Sequence, residues 1–205
     1  MPYVPPHKRQ RANKKPTQKV DTNRHEYRYK SIVIPYIETT YNSKTYKSYV
    51  LVEDAKFNEL TFVIGGCKMR EIPKNVDSTF FRDYGSYTTC ALRELKEETR
   101  DVFGNVSKYV LEPGFKFSSK DRSKAELAKD RSNGVVVTMR YTVHFLRLDM
   151  TKAAFNDVKK RFKSVKPKNP ENNETSDIVL MTKSELQKAK MWSFMKERVL
   201  PKLTD

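Results

Sequence analysis

Cysteine is scarce in this chain, with two among 205 residues, Cys67 and Cys90. Two thiols exclude a disulfide framework. With only three histidines, and no cysteine pair at metal-ligand spacing, a zinc module is excluded as well. The simplest setting for such usage is a reducing intracellular compartment, so a cytoplasmic location is expected. No run of about 18 apolar residues occurs, so neither a transmembrane helix nor a membrane partner is expected. The opening stretch MPYVPPHKRQRANKKPTQK lacks the apolar core of a secretory signal. Acids are outnumbered, with 25 Asp and Glu against 41 Lys and Arg and a formal net charge of +16. That imbalance favours a polyanionic partner such as nucleic acid or polyphosphate.

What is present divides into an arm and a domain. Residues 1–25 are polar, basic and without apolar periodicity, which predicts a disordered arm. Nine Lys and Arg stand in residues 1–30 against Asp21 and Glu26, so the arm suits RNA contact, a localisation signal or a solubilising tail equally. The remainder, 26–205, reads as one domain. KSIVIPYIETT and YKSYVLVED predict two strands with a turn at YNSK, and LTFVIGG predicts a third strand ending in Gly65–Gly66. A polar and aromatic loop over 67–85 leads to a helix predicted at 88–103. Further strands are expected in VSKYVLEPGFKF, VVVTMRYTVHFLRLDM and DIVLMT. A short helix is expected in the polar connection between the first two of these. Phe155, Val158, Phe162 and Val165 mark an amphipathic helix, and residues 183–200 a final one. Strands in front with helices inserted between them give an α+β class.

The stretch CALRELKEETRDVF carries four carboxylates in one helix. At about 100° per residue, Ala91, Leu92, Leu95, Thr99 and Val102 form a core-facing stripe. Glu94, Glu97, Glu98 and Asp101 fill the adjacent arc. A solvated acidic face would explain this pattern on charge alone. Two details favour a metal site. Glu98 sits at the edge of the apolar stripe, where an unpaired acid is costly. Glutamates at i, i+3 and i+4 also repel one another unless a counter-ion intervenes, and an oxygen-preferring cation such as Mg²⁺ or Mn²⁺ would serve.

RELKEET, Arg93 to Thr99, resembles the core of the Nudix hydrolase signature. That signature is a glycine, five residues, a glutamate, seven residues, then R-E-U-x-E-E-x-G-U with U aliphatic. Arg93, Glu94, Leu95, Glu97 and Glu98 match position for position. The small pair Cys90–Ala91 and the strand with its glycines, FVIGG, resemble the motif's flanks. The resemblance covers residues 30–190. It implies a mixed β-sheet between helices, an α/β/α sandwich. It also implies hydrolysis of a nucleoside diphosphate linked to another group, with Mg²⁺ or Mn²⁺ held by Glu94, Glu97 and Glu98. The general base would be Glu94 or Glu98, or Glu174, which lies about where decapping members place a glutamate, with Asp177 as runner-up. Solvation of the loop explains Glu174 equally well. Arg93 would orient a motif glutamate, and Gly65, Gly66 and Lys68 would meet substrate.

The chain departs from the signature in its spacing. Counted from Gly66, the opening glycine stands 93 − 66 = 27 residues before the arginine rather than fourteen, which implies an insertion over 67–85. Counted back from Arg93, the first glutamate falls on Gly85 and is missing, with Asp83 or Glu71 as replacements. The signature's last glycine is Arg100, so the helix is expected to run on to Gly104. The basic surface resembles that of Nudix decapping enzymes of large DNA viruses. The leading expectation is therefore mRNA decapping, with capped RNA as partner and release of m7GDP in a host cytoplasm. The alternatives are a hydrolase of inositol pyrophosphates, dinucleoside polyphosphates or ADP-ribose, and an RNA-binding protein on an inactive fold. Aromatics in HEYRYK and TFFRDYGSY would stack on RNA bases, or else be strand residues and loop anchors.

Overall fold

The computed structural model describes residues 24–74, 80, 87–106, 109–120, 124–167 and 174–205. The arm before residue 24 lies outside these, as do Phe81, Asp83 and Gly85, so the expectations placed on them lie outside the described residues. Chain contacts divide the molecule into two units. In the smaller, Met1–Glu26 with Arg122–Val136, the described residues hold one short helix, Lys124–Ser132. The larger, Tyr27–Asp121 with Val137–Asp205, holds the sheet and the acidic helix.

Strands β1 (Arg24–Tyr41) and β2 (Lys44–Asp54) form an antiparallel hairpin, paired from Tyr41↔Lys44 outward to Tyr36↔Tyr49. Asn42 and Ser43 have φ of 49° and 60°, the left-handed pair whose twist suits a two-residue hairpin turn. The turn therefore falls where YNSK placed it. The single strand expected over LTFVIGG is two strands. β3 (Leu60–Thr61) pairs with β2, whereas β4 (Val63–Gly66) pairs with β1. The chain changes partner at the fully buried Phe62.

β5 (Val110–Ser119) and β6 (Val135–Arg147) run antiparallel, and β7 (Thr175–Thr182) pairs along β2. The seven strands take the order β3-β2-β1-β6-β5, with β4 on β1 and β7 on β2. Residues 31–37 of β1 are buried without alternation, as in a strand covered on both faces. On one face Val33, Ile37, Val50 and Val52 pack with Ala91 and Leu95 of α1 (Thr88–Glu98). Phe155, Val158 and Phe162 join the same core from the later amphipathic helix, Lys152–Ser164. Tyr141 alternates to the other face from Leu146. It meets Phe194 with ring centroids 4.9 Å apart, and Phe117 stacks on it. Helices thus cover both faces of the sheet, in agreement with the α/β/α expectation.

Numbered in chain order, Lys124–Ser132 is α2 and Lys152–Ser164 is α3. The final helix expected over 183–200 is broken into α4 (Lys183–Lys188) and α5 (Ser193–Arg198). Between them the chain is drawn to the sheet. Leu60 N–H donates to the Lys190 carbonyl and Trp192 N–H to the Leu60 carbonyl, which removes those residues from the helical ladder. Among the described residues no helix is long and apolar enough to cross a membrane.

Candidate active site

The site lies where β4 passes along α1. Four consecutive residues, the last three of β4 and Cys67 after it, meet four side chains of the helix, in reverse order. The Ile64 N–H donates to the Glu98 carboxylate. Gly65 lies against Glu94, so closely that a Cβ added to it would stand 1.7 Å from Glu94 Cδ. The Gly66 carbonyl accepts from Arg93 Nη2 at 2.8 Å. The Cys67 thiol is hydrogen-bonded with Cys90. Helical residues 90, 93/94 and 98 share a face because they lie three and four apart. An extended strand alongside reaches each of them in turn.

This contact gives the two glycines different roles. Neither has the positive φ that a left-handed turn would require among the described residues. They are strand residues. Gly65 must lack a side chain because Glu94 occupies that space, whereas a Cβ at Gly66 meets nothing within 4 Å.

Arg93 is the hub of the site. Its Nε donates to Glu71 Oε1 at 2.8 Å and its Nη2 to Glu71 Oε2 at 3.0 Å. Nη1 lies 2.7 Å from Glu94 Oε1 and 2.9 Å from Glu97 Oε2. Glu71 is buried in a one-turn 3-10 helix, Met69–Glu71, and its Oε2 also accepts the Lys68 N–H at 2.8 Å. The paired guanidinium holds the Glu71 carboxyl down to about 2, against the opposing effect of burial. Arg93 is in turn pushed above its ordinary range by the hydrogen bonds it donates to Glu71, with Glu94 adding to the effect.

These contacts revise the spacing. Counted from Gly65 rather than Gly66, glycine, five residues, glutamate lands on Glu71. Of the two replacements held open, Glu71 is among the described residues, and it pairs with Arg93. The extra residues then follow Glu71. Glu71 to Arg93 is 93 − 71 = 22 steps where the signature has eight, an excess of 14.

The helix end also differs from expectation. α1 stops at Glu98, and Arg100 and Asp101 take φ of 54° and 58°. Arg100 therefore adopts the left-handed turn that the signature's glycine would supply, at a cost of about 1–2 kcal/mol. Its guanidinium offsets that cost. It donates to the carbonyls of Phe162 at 2.9 Å, Val165 at 3.0 Å and Thr175 at 3.0 Å, and it stacks over the Phe162 ring.

The carboxylates are disposed unequally. Glu94, expected on the acidic arc, is 9% exposed, and burial raises its carboxyl above the usual range while Arg93 opposes. Glu98 keeps some surface, but its carboxyl is raised well above the usual range. Burial is the first cause and neighbouring Glu94 the second, with Glu174 adding to both and Lys30 opposing. Glu174, exposed just before β7, is thus in electrostatic reach of Glu98. Glu97 points outward with its side chain 54% exposed. Asp177 is taken by Lys159 at 2.8 Å. Lys68 meets the site through its backbone, and its side chain is exposed. Lys30 was not foreseen; its only sequence cue is a strand position, now seen opposite Gly66.

Among the described residues no three His, Cys, Asp or Glu side chains already surround one point as a metal cage. The donor chemistry nevertheless fits a hard cation. Glu94 and Glu98 are two half-desolvated carboxylates whose charges oppose each other, and a divalent ion would remove both penalties. Glu97, exposed beside them, contacts Arg93.

Among the described residues, the aromatics of HEYRYK and TFFRDYGSY follow the second of their two readings and are mostly internal. Tyr29, Phe80 and Tyr87 are buried together, with Tyr29 and Phe80 centroids 5.7 Å apart, and Arg140 Nη1 donates to the Tyr29 hydroxyl. Strand packing and loop anchoring are their role. Among the described residues of these stretches, Tyr27 keeps appreciable exposure, beneath the Arg140 guanidinium.

No protein-family model matches the sequence, and none of the curated proteins matches it. Solved structures do. One is a mutT/nudix family protein from Listeria innocua, 14% identical, covering 85% of this chain and 90% of its own, with a TM-score of 0.44. The NUDIX domain of Shewanella oneidensis NrtR, solved with ADP ribose, is 9% identical over 85% of this chain and 84% of its own, at 0.47. The C. elegans Ap4A hydrolase is 13% identical over 85% of this chain and 93% of its own, at 0.44. These likenesses are distant, so what the site can do follows from its own residues.

Proposed function

We propose that this chain is a Nudix-type pyrophosphohydrolase dependent on Mg²⁺ or Mn²⁺, acting on a nucleoside diphosphate linked to a small group. The observation that carries this is Glu94 packed under the bare backbone of Gly65, with Glu98 beside it at the Ile64 N–H and Arg93 fastened by Glu71. Glu94 and Glu98 would hold the cation, with Glu97 completing the set after a rotamer change. When bound, the cation neutralises phosphate oxygens and lowers the pKa of the attacking water. Arg93 is a positioning residue, since its guanidinium is taken up by Glu71, Glu94, Glu97 and the Gly66 carbonyl. Glu174 is the proton acceptor, being exposed to solvent yet close to Glu98. Gly66 offers an open backbone edge where a phosphate can approach.

Decapping of mRNA is the second reading. It is favoured by the exposed basic residues Arg161 and Lys163 of α3, whose C-terminal carbonyls are tied through Arg100 to Thr175, next to Glu174. An RNA chain leaving the site could run along them.

The test is turnover of ADP-ribose, Ap4A, an inositol pyrophosphate and cap-labelled RNA with Mg²⁺ or Mn²⁺, in wild type and Glu98→Gln. Metal-dependent cleavage of a small substrate, lost in the variant, is expected. Cleavage of capped RNA with no small substrate turned over would move the assignment to decapping. Equal turnover in wild type and variant would remove the site.

A further inference from the structure

The chain's two cysteines are the last rung of the contact between β4 and α1. Cys67 follows Gly66, and its thiol is hydrogen-bonded with Cys90 in the first turn of α1. A second contact places them together independently. Arg93 Nη2 touches both the Gly66 carbonyl at 2.8 Å and Cys90 Sγ at 3.9 Å. Cys67 keeps partial exposure, whereas Cys90 is fully buried. Neither thiol has a part in the proposed hydrolysis.

We infer that Cys67 and Cys90 form a reversible intramolecular disulfide that switches the site off. Its effect on the site rests on the proposed metal assignment, but the crosslink itself does not. A low-molecular-weight disulfide such as oxidised glutathione is the oxidant. Cys67, the accessible sulfur, gives up its proton and attacks one glutathione sulfur, releasing a glutathione thiolate. Cys90 then gives up its proton and attacks Cys67 in the mixed disulfide, releasing the second thiolate. The two protons pass to the two thiolates. The two electrons lost by the cysteines reduce one glutathione disulfide to two thiols. The hydrogen bond to Cys90, and then burial, push the Cys67 thiol above its ordinary range, so exchange is slow near neutrality and faster at higher pH.

The consequence follows from geometry. A disulfide of about 2.05 Å is much shorter than a thiol–thiol hydrogen bond. Forming it draws the end of β4 toward α1. Two residues earlier, Gly65 already sits against the Glu94 carboxylate with no space to give. The contraction therefore displaces Glu94, and catalytic sites lose about a hundredfold for a displacement near 1 Å.

The full chain is equilibrated in glutathione buffers of increasing oxidised fraction, with wild type, Cys67→Ser and Cys90→Ala in parallel. Intact mass, peptide mapping and Mn²⁺ titration are read together. The expected result is a loss of about 2 Da in wild type, mapped to Cys67–Cys90 within one chain. Mn²⁺ affinity should fall tenfold or more and be restored by dithiothreitol, with both variants insensitive. Cys67→Ser guards against a folding defect in the buried Cys90→Ala. Retention of both thiols at high oxidised fraction, or a crosslink between chains, would overturn the disulfide. A mapped disulfide with unchanged Mn²⁺ affinity would overturn the switch. If reduced protein turns over no pyrophosphate, only the hydrolase reading fails, because mass and mapping do not depend on turnover.

Discussion

Replacing Glu71 with glutamine is the most informative single perturbation. Glu71 is the one residue that makes a two-point contact with Arg93 while its own side chain is 4% exposed. Its Oε2 accepts from both Arg93 Nη2 and the Lys68 N–H, so the amide oxygen of a glutamine can occupy that position. The amide nitrogen must then face Arg93 Nε, donor against donor. One charge-assisted hydrogen bond is lost, about 1.5–3 kcal/mol. Breaking one side of a buried pair costs about 3–5 kcal/mol when the other charge is left uncompensated. Arg93 keeps Glu94 and Glu97, so the lower end applies, about 3 kcal/mol. In a chain of this size that lowers Tm by about 6–12 °C. The pH dependence follows from Glu71 titrating near 2 in the fold against 4.5 in an unperturbed chain. A depressed pKa contributes stability that is present above the unfolded value and is lost as pH falls through the folded one. The Tm gap between wild type and Glu71→Gln should be full at pH 7 and close between pH 4.5 and 2. Thermal melts followed by circular dichroism measure both. A gap below about 2 °C at pH 7, or one that stays constant on acidification, would refute the lock.

Gly65→Ala and Gly66→Ala should separate cleanly. The first places a methyl where Glu94 stands and should weaken Mn²⁺ binding about tenfold or more. The second enters open space and should leave binding unchanged, as calorimetric titration of both would show. Arg100→Gly should be less stable than wild type but more stable than Arg100→Ala by about 1 kcal/mol. Both lose the carbonyl contacts, but only alanine still bears the φ of 54°; urea melts that rank alanine equal or higher would contradict this. Glu94 and Glu98 have raised folded pKa values, so the metal-free protein should lose stability as pH rises above 4.5, the sign opposite to Glu71. Mn²⁺ should reverse that loss, raising Tm little at pH 5 and more at pH 8. A uniform Tm increase across that range would count against metal on these carboxylates.

Features set by local chemistry were legible in the sequence. The Asn42–Ser43 turn, the long strand β6 and the buried Phe155–Val158–Phe162 stripe of α3 depend on residues near one another in the chain. The carboxylate helix was legible too, since Glu94 and Glu98 share a face by spacing. What was not legible depended on partners distant in sequence. β3 and β4 read as one strand because periodicity does not say which neighbour each half will pair with. The final helix broke because Leu60, about 130 positions earlier, claims the backbone of Lys190 and Trp192. The burial of Glu94 was not legible, because nothing near it in sequence indicates that Gly65 covers it. The chain end of α1 was misplaced because an arginine in a left-handed conformation is recognised only through the carbonyls it binds, on α3 and β7. Glu71 was undervalued because the count began one glycine late.

The central claim is that Glu94 and Glu98 together bind a divalent cation. The most direct measurement is Mn²⁺ titration of wild type, Glu94→Gln, Glu98→Gln and the double variant at pH 8, with thermal melts confirming that each is folded. Saturable binding in wild type, weakened tenfold or more by either substitution and abolished by both, is the predicted result. Folded variants that bind Mn²⁺ as wild type does would contradict the account.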